Sequence, residues 1–216
     1  IGTVLLYFGA DWMVKSSVNI ASKLNISRFV IGLTIVAFGT SLPELGVSLK
    51  AALYDKSGIA IGNIIGSNIT NILLVLGICS LFSPLVISFS KIKKDILIYL
   101  GVCVVLIFLL WNEILERWEG ILMFTGIIFY TIHAFITDKD HDEDFEDPVS
   151  TWHRTILFLV FGFVLLYFGS EYFIDGAIGF AKIIGVNDLI IGMSVVALGT
   201  SLPELVTSVF AAVKKE

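Results

Sequence analysis

The sequence predicts an all-α polytopic membrane protein, built as an inverted-topology repeat of five-helix units whose second unit is truncated after its second helix. Three observations support this fold class. Of the 216 residues, 56% are hydrophobic and only 15% are charged. The apolar residues form several continuous runs of about the 20 residues that a membrane-spanning helix requires. The hexapeptide Gly-Thr-Ser-Leu-Pro-Glu occurs twice, each time within such a run.

The first two predicted helices cover about residues 1–24 and 29–53. The first is apolar as far as Asp11 and more polar beyond it, and the second contains the first hexapeptide, residues 39–44. A carboxylate in the middle of a membrane-length segment costs roughly 2.5 to 3.5 kcal/mol on insertion scales, so such a residue is interpreted first as functional. Glu44 is therefore a candidate functional residue.

The spacing around the first hexapeptide predicts an oxygen-rich helix face. Steps of three and four residues relate Ala37, Thr40, Ser41 and Glu44. Pro43 has no N–H, and its ring crowds the carbonyl of Gly39, so nearby backbone oxygens are freed or tilted. Oxygen ligands without His or Cys suit hard cations such as Ca2+, which takes about 6 to 8 of them, and Na+ by the same reasoning. The structural alternative is a proline kink whose hydroxyls bond their own helix.

The third predicted helix covers about residues 59–82 and begins with a polar stretch. Asn63, Ser67 and Asn71 recur at intervals of four residues, so they form one stripe on this helix. Interhelical hydrogen bonding and cation binding are both open interpretations for Asn63. For Ser67 and Asn71, which lie deeper in the predicted span, the sequence favours cation binding.

Two long apolar stretches, about residues 96–111 and 118–136, predict the fourth and fifth helices. Neither has a polar face, so both are interpreted as scaffold or lipid-facing helices. The acidic segment at residues 138–152 is predicted to be a solvated linker. It lacks the glycine and the ligand spacing of an EF-hand loop, which argues against a calcium site there.

The second half of the chain repeats the first. The sixth predicted helix begins at about Thr155, and the seventh contains the second hexapeptide. Glu44 and Glu204 are 160 positions apart, and the same interval separates Tyr7 from Tyr167. Self-similarity at a fixed interval indicates an internal duplication.

The duplication divides the chain into a first repeat at residues 1–137 and the start of a second repeat at residues 153–216. Five helices precede the second repeat, so it enters the membrane from the opposite side. Many secondary transporters have such inverted repeats, with ion sites near the midplane. The counterpart of Asn71 would lie beyond Glu216, so the remaining helices of the second repeat are expected but absent from this chain.

The distribution of Lys and Arg predicts the orientation. With seven crossings, most of these residues lie on the side of the membrane that holds the acidic linker. The sequence therefore predicts a multi-pass protein of the plasma (inner) membrane, with the N-terminus outside and the linker cytoplasmic. The net charge of −5 comes largely from the linker, and nucleic acid is not an expected partner.

These residues make the sequence resemble the cation/Ca2+ exchanger superfamily, most closely its prokaryotic sodium/calcium exchanger branch. The resemblance rests on the two hexapeptides, the stretch Gly62–Asn71 and a duplicated Leu-Leu-Tyr-Phe-Gly. It implies ten helices, of which the first and sixth move to switch access, and an eighth helix that completes the ion site. It implies transported Ca2+ and Na+ and no cofactor. The metal-binding residues that it implies are the carboxylates of Glu44 and Glu204, the hydroxyls of Thr40, Ser41, Thr200 and Ser201, the backbone carbonyls of Ala37 and Ala197, and Ser67 and Asn71 on the third helix.

The predicted function is a secondary antiporter that exchanges Ca2+ for Na+ by alternating access, with the ions bound at a midplane site centred on two glutamates. The first alternative is an H+/Ca2+ antiporter that uses the same carboxylates, although the resemblance of the hexapeptide favours Na+. A passive cation channel is less favoured, because inverted repeats and paired carboxylates suit tight binding. An enzyme is not predicted, since the apolar spans contain no His-Glu-x-x-His motif and no paired Asp or Ser/His arrangement.

Overall fold

The computed structural model describes residues 1–86, 88–137, 150–185 and 199–214. Every regular element within these ranges is helical, which confirms the all-α class. Ala197 and residues 138–149 of the predicted linker lie outside the described residues, and the seventh predicted helix is described only from Gly199 onward.

The helices are, in chain order, α1 (Gly2–Leu24), α2 (Arg28–Ile31), α3 (Ala37–Thr40), α4 (Leu42–Leu53), α5 (Ser57–Thr70), α6 (Leu76–Phe82), α7 (Phe89–Leu109), α8 (Arg117–Thr137), α9 (Trp152–Ile183) and α10 (Leu202–Lys214). Two π-helical segments, Gly32–Val36 and Asn71–Val75, connect α2 to α3 and α5 to α6. A 3₁₀ turn at Leu110–Asn112 follows α7.

A tight connection joins α1 to the helix that carries the first hexapeptide. α1 ends at Leu24, and its C-cap residue Asn25 has a left-handed φ of 54°, a conformation that asparagine tolerates better than most residues. Ser27 then caps α2, because its hydroxyl accepts a hydrogen bond from the Val30 N–H at 3.2 Å. Ile31 packs against Ile20 in a buried cluster, which holds the second span against α1.

The second span is a broken helix. Its two parts, Arg28–Thr40 and Leu42–Leu53, meet at an angle of 45°. Ser41 lies at the break with φ −85° and ψ 6°. Pro43 follows in the first turn of α4, where its missing N–H leaves no intrahelical hydrogen bond unmade. The break places Glu44 in the first turn of α4.

The next two helices differ in how well the sequence predicted their bounds. The helix at Ser57–Phe82 is continuous through its π-helical segment and agrees with the prediction. α7 begins at Phe89, so the predicted start at about residue 96 was wrong. The residues from Phe89 to Asp95 include three lysines, which are good helix formers, and Ser88 occupies the N-cap position of α7.

Four described helices are long and apolar enough to cross a membrane: Ser57–Phe82, Phe89–Asn112, Arg117–Thr137 and Trp152–Ile183. The broken helix is a fifth if its two parts form one span. α1 is long enough but carries Asp11, Lys15 and Lys23 and is not among them. The multi-pass membrane prediction is confirmed, while the predicted seven crossings involve residues outside the described ranges.

α1 and α9 approach each other closely. Four glycines lie in their contact: Gly2, Gly9, Gly162 and Gly169. A Cβ atom at Gly9 would lie 2.8 Å from the backbone nitrogen of Leu166. A Cβ atom at Gly169 would lie 2.8 Å from the backbone nitrogen of Leu6. Side chains do not fit at such distances, so glycine permits this packing.

The 160-residue interval relates the contacts between α1 and α9 in pairs. Replacing both residues of one contact by their counterparts in the other repeat gives a second contact that is also present. Gly9 meets Leu166, and Gly169 meets Leu6. Contacts in which i meets j and j meets i are those that a two-fold axis generates. Because the start of α1 meets the later glycine of α9, the two helices run antiparallel.

The chain divides into two compact units, one formed by Ile1–Pro84 and Lys139–Glu216 and the other by Leu85–Asp138. In the second unit, the Tyr130 hydroxyl of α8 donates to Asp95 of α7 at 2.9 Å. α7 and α8 expose most of their large apolar side chains, in agreement with their interpretation as scaffold or lipid-facing helices. The units reflect packing, whereas the predicted repeats reflect sequence, so this division does not test the repeat boundaries.

Candidate cation-binding site

The two hexapeptides meet in the first compact unit. The Ser41 hydroxyl donates a hydrogen bond to Oε1 of Glu204 at 3.3 Å. Glu44 and Glu204 are 7% and 9% exposed and lie close enough to interact electrostatically. Each glutamate occupies the first turn of its helix, α4 or α10, where the helix dipole favours a negative charge. The duplicated sequence therefore brings two buried carboxylates together.

Buried oxygens of the two hexapeptides have no hydrogen-bond partner among the described residues: both carboxylate oxygens of Glu44, Oε2 of Glu204 and Oγ of Ser201. Oδ1 of Asn71, which begins the π-helical segment that packs against α10, has none there either. A buried polar group without a partner costs about 1 to 3 kcal/mol, and more if it is charged. Native structures retain such groups rarely and for a reason. Carboxylate, hydroxyl and amide oxygens from three helical segments match the donors that hard cations prefer.

Two other hydroxyls predicted as ligands, those of Thr40 and Ser67, bond their own helices. The Thr40 hydroxyl donates to the carbonyl of Val36 at 3.1 Å, and the Ser67 hydroxyl donates to the carbonyl of Ile64 at 3.1 Å. This is the bonding that a simple proline kink would show. A hydroxyl that donates its proton keeps two lone pairs, so the bond is also compatible with binding a cation. Thr200 is half-buried at the beginning of the second motif.

The carbonyl of Ala37 is engaged in this conformation. It accepts a hydrogen bond from the Ser41 N–H at 3.1 Å and another from the Thr40 hydroxyl at 3.3 Å. The expected loosening of backbone oxygens by Pro43 does not extend to this carbonyl. Ala197, its counterpart in the second motif, lies outside the described residues.

Asn63 ties the site to the third span. Its amide donates to the backbone carbonyl of Glu44 at 3.1 Å and to the Ser48 hydroxyl at 2.9 Å. Of the two interpretations left open for Asn63, this geometry is that of interhelical hydrogen bonding. The contact holds the first turn of α4 against α5.

Ser170 of α9 is a residue that the sequence reasoning missed. Its hydroxyl is buried and donates to the carbonyl of Gly199 at 2.8 Å, at the start of the second hexapeptide. Its counterpart in the first repeat is Ala10, so no equivalent hydroxyl exists in α1. A serine that replaces alanine between duplicated helices is the sequence signal that would have drawn attention to it.

A cavity of about 190 Å3 lies beside the meeting point of the two motifs. Pro43 and Pro203 both line it, together with Phe163 and Tyr167 of α9. Thr40 also lines the cavity, but neither glutamate does, so the cavity lies beside the carboxylate pair. Among the described residues, no group of three or more His, Cys, Asp and Glu side chains comes together, which leaves the two glutamates and neutral oxygens as the candidate ligands.

Comparison with known proteins shows the family that the chain resembles. A family model described as sodium/calcium exchanger protein matches residues 1–136 and 154–216. The chain is 35% identical over 254 residues to the sodium/calcium exchanger MaX1 of Methanosarcina acetivorans, across 98% of this chain and 73% of that protein. It is 31% identical over 226 residues to the inner membrane protein YrbG of Escherichia coli, across 100% of this chain and 69% of that protein.

Solved structures of the sodium-calcium exchanger NCX_Mj have a similar fold. A structure of that protein soaked with Na+ and Ca2+ matches with a TM-score of 0.81 and 36% sequence identity. The match covers 99% of this chain and 70% of that chain. The likeness therefore extends over both hexapeptides and the helices that position them.

Proposed function

The chain belongs to the sodium/calcium exchanger family, in its prokaryotic branch, and we propose that it exchanges Ca2+ for Na+ by alternating access at a site centred on Glu44 and Glu204. Family membership makes it a multi-pass cation transporter and not an enzyme. One observation carries the finer proposal. Three of the four carboxylate oxygens of this buried pair have no hydrogen-bond partner in the described ranges.

The charge of the pair explains why two fluxes would be coupled. Two buried carboxylates without cations would repel each other and lack the solvation that water provides. One Ca2+ or a few Na+ would neutralise them, but both sets would compete for the same oxygens. A site that changes its access only when it is loaded then moves Ca2+ in one direction and Na+ in the other.

The remaining ligands are proposed from the motif positions. Thr40, Ser41, Thr200 and Ser201 contribute hydroxyl oxygens, and Ser67 and Asn71 contribute oxygens from the third span. Ala37 and Ala197 contribute backbone carbonyls to Na+. Because the Ala37 carbonyl already accepts two hydrogen bonds, its use as a ligand requires this turn to rearrange during the transport cycle.

The membrane arrangement is proposed as two inverted repeats, at residues 1–137 and 153–216, joined by a cytoplasmic linker at residues 138–152. The antiparallel packing of α1 and α9 and their exchanged glycine contacts support inverted halves. The N-terminus is placed outside the plasma (inner) membrane by the charge distribution, with the remaining helices of the second repeat completing the site.

The test is calcium-45 uptake by the full-length protein in proteoliposomes. Vesicles loaded with Na+ are diluted into Na+-free buffer, with and without a proton ionophore. Uptake that requires internal Na+ and survives the ionophore is the expected result. Uptake that ignores Na+ and collapses with the proton gradient would replace Na+ with H+ at the same carboxylates. Uptake that needs no counter-ion gradient would indicate a channel.

A further inference from the structure

A column of buried oxygens continues past Glu204 along α10. Ser201, Glu204 and Thr207 are spaced by three residues, which places them on one side of a helix. Oγ of Ser201, Oε2 of Glu204 and Oγ1 of Thr207 are all buried, and none has a hydrogen-bond partner in the part of the chain that the structure describes. Ser201 and Glu204 belong to the hexapeptide, but Thr207 does not.

The state of the Thr207 hydroxyl is unusual for a helical threonine. Buried threonines in helices commonly donate to the carbonyl four residues earlier. Thr34 and Thr155 make this bond, at 2.6 Å and 3.1 Å. Thr207 is 3% exposed and makes no hydrogen bond to any described residue. A buried hydroxyl in this state costs about 1 to 3 kcal/mol, so the position favours valine unless the oxygen has another use.

The first motif has valine at the corresponding position. Val47 is the counterpart of Thr207 by the 160-residue interval, and it is 40% exposed. Two turns further, the same face of α10 reaches Lys214, which forms an ion pair with Asp11 of α1. The counterpart of Lys214 is Tyr54. On this side, α10 therefore carries Thr207 and Lys214 where α4 carries Val47 and Tyr54.

We propose that Thr207 is a further cation-binding residue, whose hydroxyl oxygen holds Na+ or Ca2+ one turn beyond Glu204 as the ion passes toward the C-terminal end of α10. This inference rests on the proposed function of the glutamate pair. Val47, the counterpart of Thr207, has no oxygen in its side chain, so the first motif lacks the equivalent ligand. Thr207 adds no charge to the site. It therefore changes the Na+ concentration that is needed for ions to reach Glu204 from one face of the membrane.

The test compares Thr207→Val with Thr207→Ser in right-side-out and inside-out vesicles that contain the full-length protein. The half-saturating Na+ concentration for Ca2+ exchange is measured at each face in turn. Thr207→Val should raise it about 3- to 10-fold at the face toward the C-terminal end of α10, the equivalent of one weak ligand, and leave the other face unchanged. Thr207→Ser keeps the oxygen and should resemble the parent. Thr125→Val, which removes an exposed hydroxyl that bonds its own helix in α8, is the matched control.

A stability measurement separates binding from a structural role. If the hydroxyl serves only cations, Thr207→Val should melt at the same temperature as the parent, or higher, in detergent without Na+ or Ca2+. Unchanged Na+ dependence at both faces, an equal change at both faces, or a lower melting temperature would overturn the inference. Glu204→Gln tests the underlying function separately. If it abolishes exchange while Thr207→Val behaves as the parent, only the role of Thr207 is wrong.

Discussion

The two halves of the molecule are alike where α1 meets α9 and different where the two hexapeptides meet. In the helix contact, Gly9 with Leu166 and Gly169 with Leu6 are equivalent under the 160-residue interval. In the site, Glu204 accepts a hydrogen bond from Ser41, whereas neither carboxylate oxygen of Glu44 has a partner among the described residues. Identical motifs have therefore acquired unequal surroundings.

The different surroundings of the two hexapeptides arise from residues outside these motifs. The carbonyl of Glu44 is held by Asn63 of α5, and the carbonyl of Gly199 is held by Ser170 of α9. The counterpart of Ser170 in the first repeat is Ala10, which has no hydroxyl. The duplication preserves backbone packing and the carboxylates, and it leaves the neighbouring polar groups free to diverge.

The largest effect is expected from the carboxylates themselves. Glu44→Gln and Glu204→Gln each remove one of the two charges that bind the cation in a low-dielectric site. Each substitution should weaken cation binding by more than about 2.7 kcal/mol and lower the exchange rate by a factor of about 100 or more. Calcium-45 flux at fixed Na+ measures it. Glu119→Gln is the control, because Glu119 is buried and accepts the Glu116 N–H at the start of α8. Full exchange by either site variant would show that the two carboxylates do not act as a pair.

Loss of the glycine contacts should affect folding next most strongly. Gly9→Ala and Gly169→Ala each place a methyl group 2.8 Å from a backbone nitrogen of the facing helix, and such overpacking costs about 1 to 3 kcal/mol. The two losses in thermal stability should be equal, because the contacts are equivalent. In Gly46→Ala the new methyl meets nothing within 4 Å among the described residues, so this control should be neutral or stabilising. A clear difference in thermal stability between Gly9→Ala and Gly169→Ala would show that the two helix contacts are not equivalent.

The polar contacts around the motifs should give smaller and unequal effects. Asn63→Ala removes two hydrogen bonds and leaves the Ser48 hydroxyl and the Glu44 carbonyl without their donor, which should cost about 1 to 3 kcal/mol. It should also weaken Ca2+ binding, measured by calorimetry, because Glu44 loses its support. Ser170→Ala removes one bond and recreates the residue of the first repeat, at a cost of about 0.5 to 1.5 kcal/mol. Equal losses would contradict the asymmetry of the site.

The sequence was sufficient to predict features that depend on local chemistry. Pro43 and the spacing of Ser41 and Glu44 predicted a broken helix with an oxygen-rich face, and the duplication predicted that two glutamates would share a site. The structure brings those carboxylates together, while their role as ligands stays a prediction. Contacts such as Ser170 with Gly199 depend on how helices pack over long sequence separations. A single serine in an apolar helix carries no local signal of that partner.

The smallest effect on thermal stability is expected from the ion pair between Lys214 at the end of α10 and Asp11 of α1. Lys214 pairs with Asp11, but these side chains are 31% and 14% exposed, and Lys15 also binds Asp11 at 2.8 Å. Exposed pairs contribute about 0.2 to 1 kcal/mol, so Lys214→Met should lower the melting temperature by about 1 to 4 °C at low salt. The loss should shrink at 1 M salt, where the screening length is about 3 Å, and Lys50→Met on the exposed side of α4 should cause none. A loss that persists at high salt would mean that Lys214 stabilises α10 by packing on Phe210, which its ammonium approaches to 5.2 Å, and that the difference between the halves at this end is apolar in origin.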